Sequence, residues 1–594
     1  MKEYLSKYLY VLGARRKKLI ALIGLFVTLA CLDLVGIGMI GPFVAAVSVP
    51  ETLSRLTLWQ TFKSLLWTDD DHIALVVLGV IIVLIFYVKS CGAFWAQRYI
   101  VRFSYNRQSD LMNTLMATYQ MMPYKYHIEH NSAALVQAIT RHTDVYTSQT
   151  LIASLRLASE VIVFLMILVF LALTDFVATV SMVCLLGVVG ATYDKVAKQS
   201  LQRSGKNMAD AQTEIIKNIN HAVGGFKEIR LLGIEKYFQD KVKEKGLVFA
   251  GAGATFRALS LLPRYFIESS MITFVVGMAI FTILSKGNTN RFFPTLSVFG
   301  MAAIRLMPSV NVIIASMTDL RYSKYAVDEL YEDLIRLSDH KENTQATNNQ
   351  LSDVRREKDI KVTFETISMN DVSFKYEEGS VFAIDGINIT IHRGKSIGLI
   401  GKSGSGKTTL VNVLLGLLVP QNGSIKIDGE IVDNNTRRWH NMFAYIPQDV
   451  HLIDDTIRRN IALGIADSDI QEEKLLGVIK DAQLEQLVEQ LPAGIDTMVG
   501  ERGVMLSGGQ KQRVALARAF YHDREIVVMD EATAALDNET ERQIVEAIKS
   551  LKGQKTLIVI AHRFTTVEHC DVIYQLDSGR IVAVGDFESV VGRS

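Results

Sequence analysis

The sequence predicts two architectures in one chain: a membrane α-helical bundle of six spanning helices, then a soluble α/β domain built around a phosphate-binding loop. Three observations predict it. Apolar residues make up 49% of the 594 residues, and the long apolar runs crowd into the first half. Between Ile397 and Thr409 an apolar strand runs into Gly-Lys-Ser-Gly-Ser-Gly and then into a helix near Lys407. Ile526-Val527-Val528-Met529-Asp530-Glu531 is an apolar run ending in two acids, the pattern of a buried parallel strand with carboxylates at its C-terminal edge. The expected division is a membrane part over 1–338, a linker over 339–360 and a soluble part over 361–594.

Composition narrows the classes. A net charge of +1 gives no electrostatic reason to expect a nucleic-acid partner. The four cysteines show no disulfide or metal spacing: Cys31, Cys91 and Cys184 fall in apolar spans and Cys570 in the soluble part. All four are expected as buried small residues.

Arg15-Arg16-Lys17-Lys18 precedes an apolar run from Leu19 to about Val47, too long for the core of a signal peptide and followed by further spans. It reads as the first transmembrane helix, its basic flank cytoplasmic. Ile73–Ala96, Ile152–Leu173, Val177–Tyr193, Tyr265–Leu284 and Pro294–Ser316 complete the six, each near the roughly 20 residues that cross a hydrocarbon core. Glu51–Trp67, apolar at helical spacing, is expected as a short amphipathic helix on the outer face, either touching lipid or capping the bundle. Arg98–Leu151 and Asp194–Pro263 are long and rich in Lys and Arg, so both belong in the cytoplasm. They are expected to prolong the membrane helices, with tips near Pro123–Asn131 and Asn220–Leu232 that pass motion to the soluble half.

Ionisable residues inside spans cost several kcal/mol unless they face protein or water, which singles out Asp33, Glu160, Arg264, Glu268 and Arg305. Arg305 lies deepest. It either binds an anionic head group or pairs with Glu268 or Asp33. A charged helix over Tyr322–Leu337 then leads to a polar linker over His340–Asp359.

In the soluble part, Gly401, Gly404 and Gly406 let backbone N–H groups turn inward around phosphate oxygens, and the following helix adds the positive end of its dipole. Lys407 reaches the terminal phosphates of a nucleotide and the Thr408 hydroxyl can hold Mg²⁺; Ser403 and Thr409 belong to the same binding stretch. Asp530 would complete the Mg²⁺ site through water, and Glu531 would polarise an attacking water. Leu506-Ser507-Gly508-Gly509-Gln510 precedes a helical run, so Ser507 can cap it while both glycines expose N–H groups. That is a second phosphate-binding helix terminus.

With these motifs in this order, the sequence resembles an ABC transporter nucleotide-binding domain, and over its whole length an ABC exporter half-transporter. The resemblance implies ATP as ligand and a head-to-tail dimer, in which Ser507, Gly508, Gly509 and Gln510 of one chain close on the γ-phosphate held by the other. It further implies that Tyr376 stacks on adenine, that Gln448 reports on the γ-phosphate and Mg²⁺, and that Asp537, in Ala535-Leu536-Asp537, lies in the loop crossing the dimer. His562 would be the switch histidine, and Gly500-Glu501-Arg502-Gly503 the segment that touches cytoplasmic helix tips. Ala534 stands where the family often has serine. Because Glu531 and the signature are intact, a homodimer is chemically sufficient, with a heterodimer as the alternative.

Leu32–Gly38, Pro263–Glu268 and Arg305–Ser309 resemble the corresponding parts of bacterial lipid-linked oligosaccharide flippases. That resemblance implies an amphipathic, pyrophosphate-linked lipid substrate attracted by Arg264 and Arg305, and a multi-pass place in the bacterial inner membrane. The runner-up is a multidrug, lipid or peptide exporter; a regulatory or channel-type ABC protein ranks below it. Soluble ABC ATPases lack any six-span half.

Overall fold

In the computed structural model the described residues are 2–13, 16–48, 64, 70–130, 132–284, 289–348, 364–376, 381–432, 437–530, 546, 549, 552–561 and 563–592. The chain divides into two compact units, Met1–Met121 with Asn131–Ala346, and Met122–His130 with Thr347–Ser594.

The first unit is helical. After α1 (Lys2–Leu12) come α2 (Arg16–Ser48) and α3 (Asp71–Met121). The short α4 (Tyr124–Glu129) is counted with the second unit, and α5 (Ile152–Thr174) follows a stretch containing two π-helical turns, Ala138–His142 and Tyr146–Leu151. α6 (Phe176–Gly224), α7 (Phe226–Leu232), α8 (Glu235–Leu284), α9 (Thr289–Tyr322) and α10 (Lys324–Asn348) complete it.

Six helices are long and apolar enough to cross a membrane, over Ala21–Ile40, His72–Met121, Ala134–Thr174, Phe176–Ala197, Glu235–Ile280 and Leu296–Tyr322. They coincide with the six expected runs. At 51 residues α3 is about 75 Å long, more than twice a hydrocarbon core of about 30 Å, so the helices do prolong themselves beyond any membrane. The expected tips are short helices, α4 and α7. Between spans, Asp175 caps α6 by accepting from the Ala178 N–H at 3.0 Å, which makes the turn after Thr174 minimal.

Apolar packing inside the bundle joins Ile167 and Leu171 of α5, Met182 of α6, Ile267 and Met271 of α8 and Phe299 of α9. One polar contact repairs a defect there. Pro263, inside α8, has no N–H to give the Leu259 carbonyl four residues earlier; the Tyr193 hydroxyl of α6 donates to that carbonyl at 3.0 Å instead.

Two expectations need adjustment. Cys31, Cys91 and Cys184 are exposed, because helices of a membrane bundle present much apolar surface outward and a small thiol sits there at no polar cost, while Cys570 is half-buried against the core of the second unit. Where a linker was expected from 339, α10 continues to Asn348. The amphipathic segment Glu51–Trp67 lies outside the described residues save Ser64, as does the linker from 349 to 360.

The second unit holds two sheets. β1 (Thr366–Phe374), β2 (Ile384–His392), β4 (Asn422–Ile427) and β5 (Glu430–Ile431) form an antiparallel sheet in the order β2-β1-β4-β5. β3 (Ser396–Ile400), β6 (Phe443–Ile446), β7 (Ile526–Asp530), β8 (Thr556–Ile560), β9 (Val572–Asp577) and β10 (Arg580–Gly585) form the second, in the order β10-β9-β3-β8-β7-β6. Its strands are parallel except at the β9–β10 edge. Every residue of β3, β7 and β8 is buried, as continuous apolar runs covered on both faces must be. α11 (Lys407–Leu414) leaves the end of β3, and α12 (Gly508–Tyr521) precedes β7.

Tyr193→Phe is expected to destabilise the protein by about 1 kcal/mol, the net contribution of a hydrogen bond to this part-buried carbonyl. In a Pro263→Ala background, which restores the missing N–H, the same change should cost far less; melting of the four variants in detergent measures the difference.

Candidate functional site

The parallel register brings the end of β3, from which the glycine loop leaves, and Asp530 to one edge of the sheet. Leu399 of β3 pairs with Ile560 of β8, and Ile560 pairs with Asp530 of β7, so three strands end at one level. Ligands of open α/β sheets bind beyond such carboxyl ends.

Beyond β3 the chain makes a turn that only glycine can make. Gly401 has φ +150°, and a Cβ there would lie 2.3 Å from the Leu576 carbonyl oxygen; at Gly406, with φ +102°, it would lie 2.5 Å from that of Ala383. Gly406 is the N-cap of α11, so the loop delivers its N–H groups to a helix terminus. The buried Lys407 ammonium crosses the loop to the carbonyls of Gly401 and Lys402, at 2.8 and 2.9 Å. Ser403, Gly404 and Thr408 are exposed. Tyr376 stands at the rim, its hydroxyl 3.1 Å from Thr409 Oγ1. An aromatic face is thereby tied to the phosphate loop, as adenine stacking requires.

Asp530 is buried at the end of β7. Its Oδ2 accepts from the Tyr445 hydroxyl of β6 at 3.0 Å. Burial, and then the Asp530 charge, push the Tyr445 hydroxyl well above the usual tyrosine range, which keeps it the donor. Gln448, two residues beyond β6, is exposed. Thr408, Asp530 and Gln448 offer only oxygen donors, with a single carboxylate among them. That set suits Mg²⁺, which takes one or two carboxylates and leaves its other positions to phosphate and water. Among the described residues no group of His, Cys, Asp or Glu forms a closed metal cage. Glu531, Asp537 and His562 lie outside the described residues.

At the second glycine-bearing helix terminus, the cap that the sequence implies is present. Ser507 caps α12 with a reciprocal box: its Oγ accepts from the Gln510 N–H at 3.3 Å, and Gln510 Oε1 accepts from the Ser507 N–H at 2.8 Å. Gly508 and Gly509 therefore present their N–H groups at a fixed helix end. From the same helix, Lys511 donates to the Arg502 carbonyl at 2.9 Å, joining the signature to Gly500–Gly503. Gly500, Arg502 and Gly503 in that segment all have left-handed backbones.

In the membrane unit, the singled-out charges assemble. Asp33 of α2, with only 4% of its side chain exposed, takes Arg305 of α9 on Oδ2, from Nη2 at 3.2 Å and Nε at 3.3 Å, and Lys89 of α3 on Oδ1. Arg305 Nη1 turns to Ser309 Oγ at 3.0 Å and to Glu160 of α5 at 3.6 Å, and Ser309 donates to Glu160 at 2.6 Å. Two acids and two bases from four helices cancel. Arg305 thus pairs with Asp33, one of the two expected partners, and with Glu160 rather than Glu268. Arg264 and Glu268 stand exposed on α8, away from this network's hydrogen bonds. Sequence reasoning missed Lys89, although a lone lysine in the run Ile73–Ala96 was the available signal, and it gave no role to Tyr445, which opens the stretch Tyr-Ile-Pro-Gln-Asp around Gln448.

Against known proteins, the family described as ABC transporter matches residues 369–534. The chain is 30% identical over 478 residues to the ATP-dependent lipid A-core flippase of Cupriavidus pinatubonensis (strain JMP 134 / LMG 1197), which covers 79% of this chain and 78% of that protein. It is 28% identical over 531 residues to the protein of the same name from Coxiella burnetii (strain RSA 493 / Nine Mile phase I), covering 86% and 84%. With that of Idiomarina loihiensis (strain ATCC BAA-735 / DSM 15497 / L2-TR) the identity is 42%, over 226 residues, 38% of this chain and 39% of the other. A solved structure of a bacterial Atm1-family ABC exporter with ATP bound shares the fold, with TM-score 0.69 at 19% identity, covering 98% of this chain and 97% of that one.

Removing the shared anion of the membrane network takes the acid from Lys89 and leaves Arg305 with Glu160 alone. Asp33→Ala is expected to destabilise the bundle by roughly 3 kcal/mol, and Asp33→Ala with Lys89→Ala by less than that single change, because one uncompensated charge is gone. Apparent melting temperatures in detergent give the order.

Proposed function

This chain belongs to the ABC transporter family, and we propose that two copies of it form an exporter that flips an amphipathic lipid with an anionic, sugar-bearing head, most specifically a polyprenyl-pyrophosphate oligosaccharide. The ABC domain binds ATP, and the six apolar helices make the chain a membrane protein. One observation carries the dimer: the chain has two phosphate-binding helix ends, at Gly406 and at the boxed Ser507, in separate places along the sequence. A head-to-tail pair uses both at each nucleotide.

In this reading Lys407 and the N–H groups of the glycine loop hold the β- and γ-phosphates, and Tyr376 stacks on the base. Thr408, Asp530 and Gln448 would hold Mg²⁺, which when bound offsets charge on the phosphoryl oxygens. Glu531 orients the attacking water, His562 contacts the γ-phosphate, and Ser507, Gly508, Gly509 and Gln510 of the second copy close the sandwich, with Asp537 in the crossing loop. Closure then biases the long helices between two arrangements. α7 supports this coupling: Phe226, Leu231 and Leu232 are exposed on it, an apolar tip suited to docking on a soluble domain. On this reading, which the basic flanks support, the N-terminus and the nucleotide-binding domain lie in the cytoplasm and the bundle in the bacterial inner membrane.

The lipid reading is supported by the names of the relatives, which are lipid A-core flippases, and by Arg264, a cation exposed on α8 outside the charge network around Asp33. Arg264 is the more direct candidate for the head group, since it is exposed, while Arg305 holds Asp33 and Glu160 and would greet an anion from within that network.

Reconstitution in liposomes tests the substrate. ATP is expected to make the glycan of a lipid-linked oligosaccharide accessible on the opposite side; movement of lipid A-core alone would transfer the assignment to that glycolipid. Glu531→Gln should keep ATP binding and slow hydrolysis by orders of magnitude, trapping a closed dimer visible by size-exclusion chromatography. Arg264→Ala should impair flipping and leave basal ATPase activity largely intact; unaltered flipping would remove Arg264 from the substrate path.

A further inference from the structure

Tyr445 of β6 has Val528 of β7 as its strand partner, so its side chain shares a sheet face with Asp530, two residues further along. The diagonal reach is closed by the 3.0 Å bond from the Tyr445 hydroxyl to Asp530 Oδ2. Three residues downstream of Tyr445 the chain reaches Gln448, so the tyrosine lies close in sequence to one of the residues assigned to Mg²⁺ and touches another, Asp530.

We propose that Tyr445 is a positioning residue that orients the Asp530 carboxylate for the metal of the nucleotide site. The proposal rests on the reading of Asp530 given above. A carboxylate on the last residue of a strand can rotate about both of its side-chain torsions, and a hydroxyl fixed to one oxygen sets the plane in which the other is offered. Partners of this kind typically change metal affinity by about 10–100-fold when removed. A bond that merely fastened β6 to β7 would act on stability instead. The strands already pair through Phe443, Ala444, Tyr445 and Ile446, and the Tyr445 ring is 41% exposed, so loss of the hydroxyl alone leaves the packing in place.

The experiment uses the full-length protein in detergent and follows Mn²⁺ as the probe, by the electron paramagnetic resonance of free Mn²⁺ at fixed ATP. Tyr445→Phe is expected to weaken Mn²⁺ binding about tenfold. ATP affinity in the presence of EDTA and the melting temperature should stay as in the parent. Mn²⁺ affinity within twofold of the parent overturns the proposal, as does a tenfold loss of ATP affinity without metal, which would mark a general distortion of the site. Asp530→Asn is measured beside it. If that variant binds Mn²⁺ like the parent, Asp530 does not serve the metal and the reading beneath the proposal fails with it; if it loses Mn²⁺ while Tyr445→Phe does not, only the role of Tyr445 falls.

Discussion

The alignment of three buried strand ends is the constraint on which the soluble half depends. Leu399, Ile560 and Asp530 are held at one level by parallel hydrogen bonding, and the glycine loop and the Asp530 carboxylate are attached at that level. The glycine loop leaves from β3, and a carboxylate that would otherwise stay in water is retained at the rim of the sheet. Slipping any strand by one residue would exchange its two faces and remove the acid from the loop. The apolar runs of β3, β7 and β8 therefore serve the site as much as the core.

The membrane half obeys a different constraint, that a charge taken out of water must be answered by another. Four helices each contribute to one network, in which Asp33 serves two cations and Arg305 serves two anions. Such sharing makes the network more than a set of pairs: either hub can give up one partner and keep the other. The Pro263 defect follows the same rule on the backbone, where a hydroxyl from α6 supplies the donor that proline lacks.

Much of this was legible in the residues because it rests on local rules. Six apolar runs of adequate length became six helices, and the S-G-G-Q stretch became a capped helix with its reciprocal box, since Gln510 stands at the spacing such a box demands. The two tips were legible as interruptions in long helical segments. What depended on tertiary partners was not. Arg305 could be read as paired or as substrate-facing, and only the arrangement of α2, α5 and α9 selects Asp33 and Glu160 over Glu268. Cysteines were read as buried because small thiols usually are; in a bundle with outward apolar faces that habit misleads. Tyr445 lay hidden because its partner is 85 residues away on the next strand.

The proline in α8 has a mechanical consequence. From Pro263 back to Glu235 the helix runs about 40 Å, at about 1.5 Å per residue, and ends beside the apolar tip α7. Considered as a rigid arm pivoting where its own hydrogen bond is absent, that length turns a swing of about 5° into a sweep of about 4 Å at the far end. A displacement comparable with a side chain's width thus asks for almost no bending of the backbone, and the Tyr193 hydroxyl sits at the fulcrum.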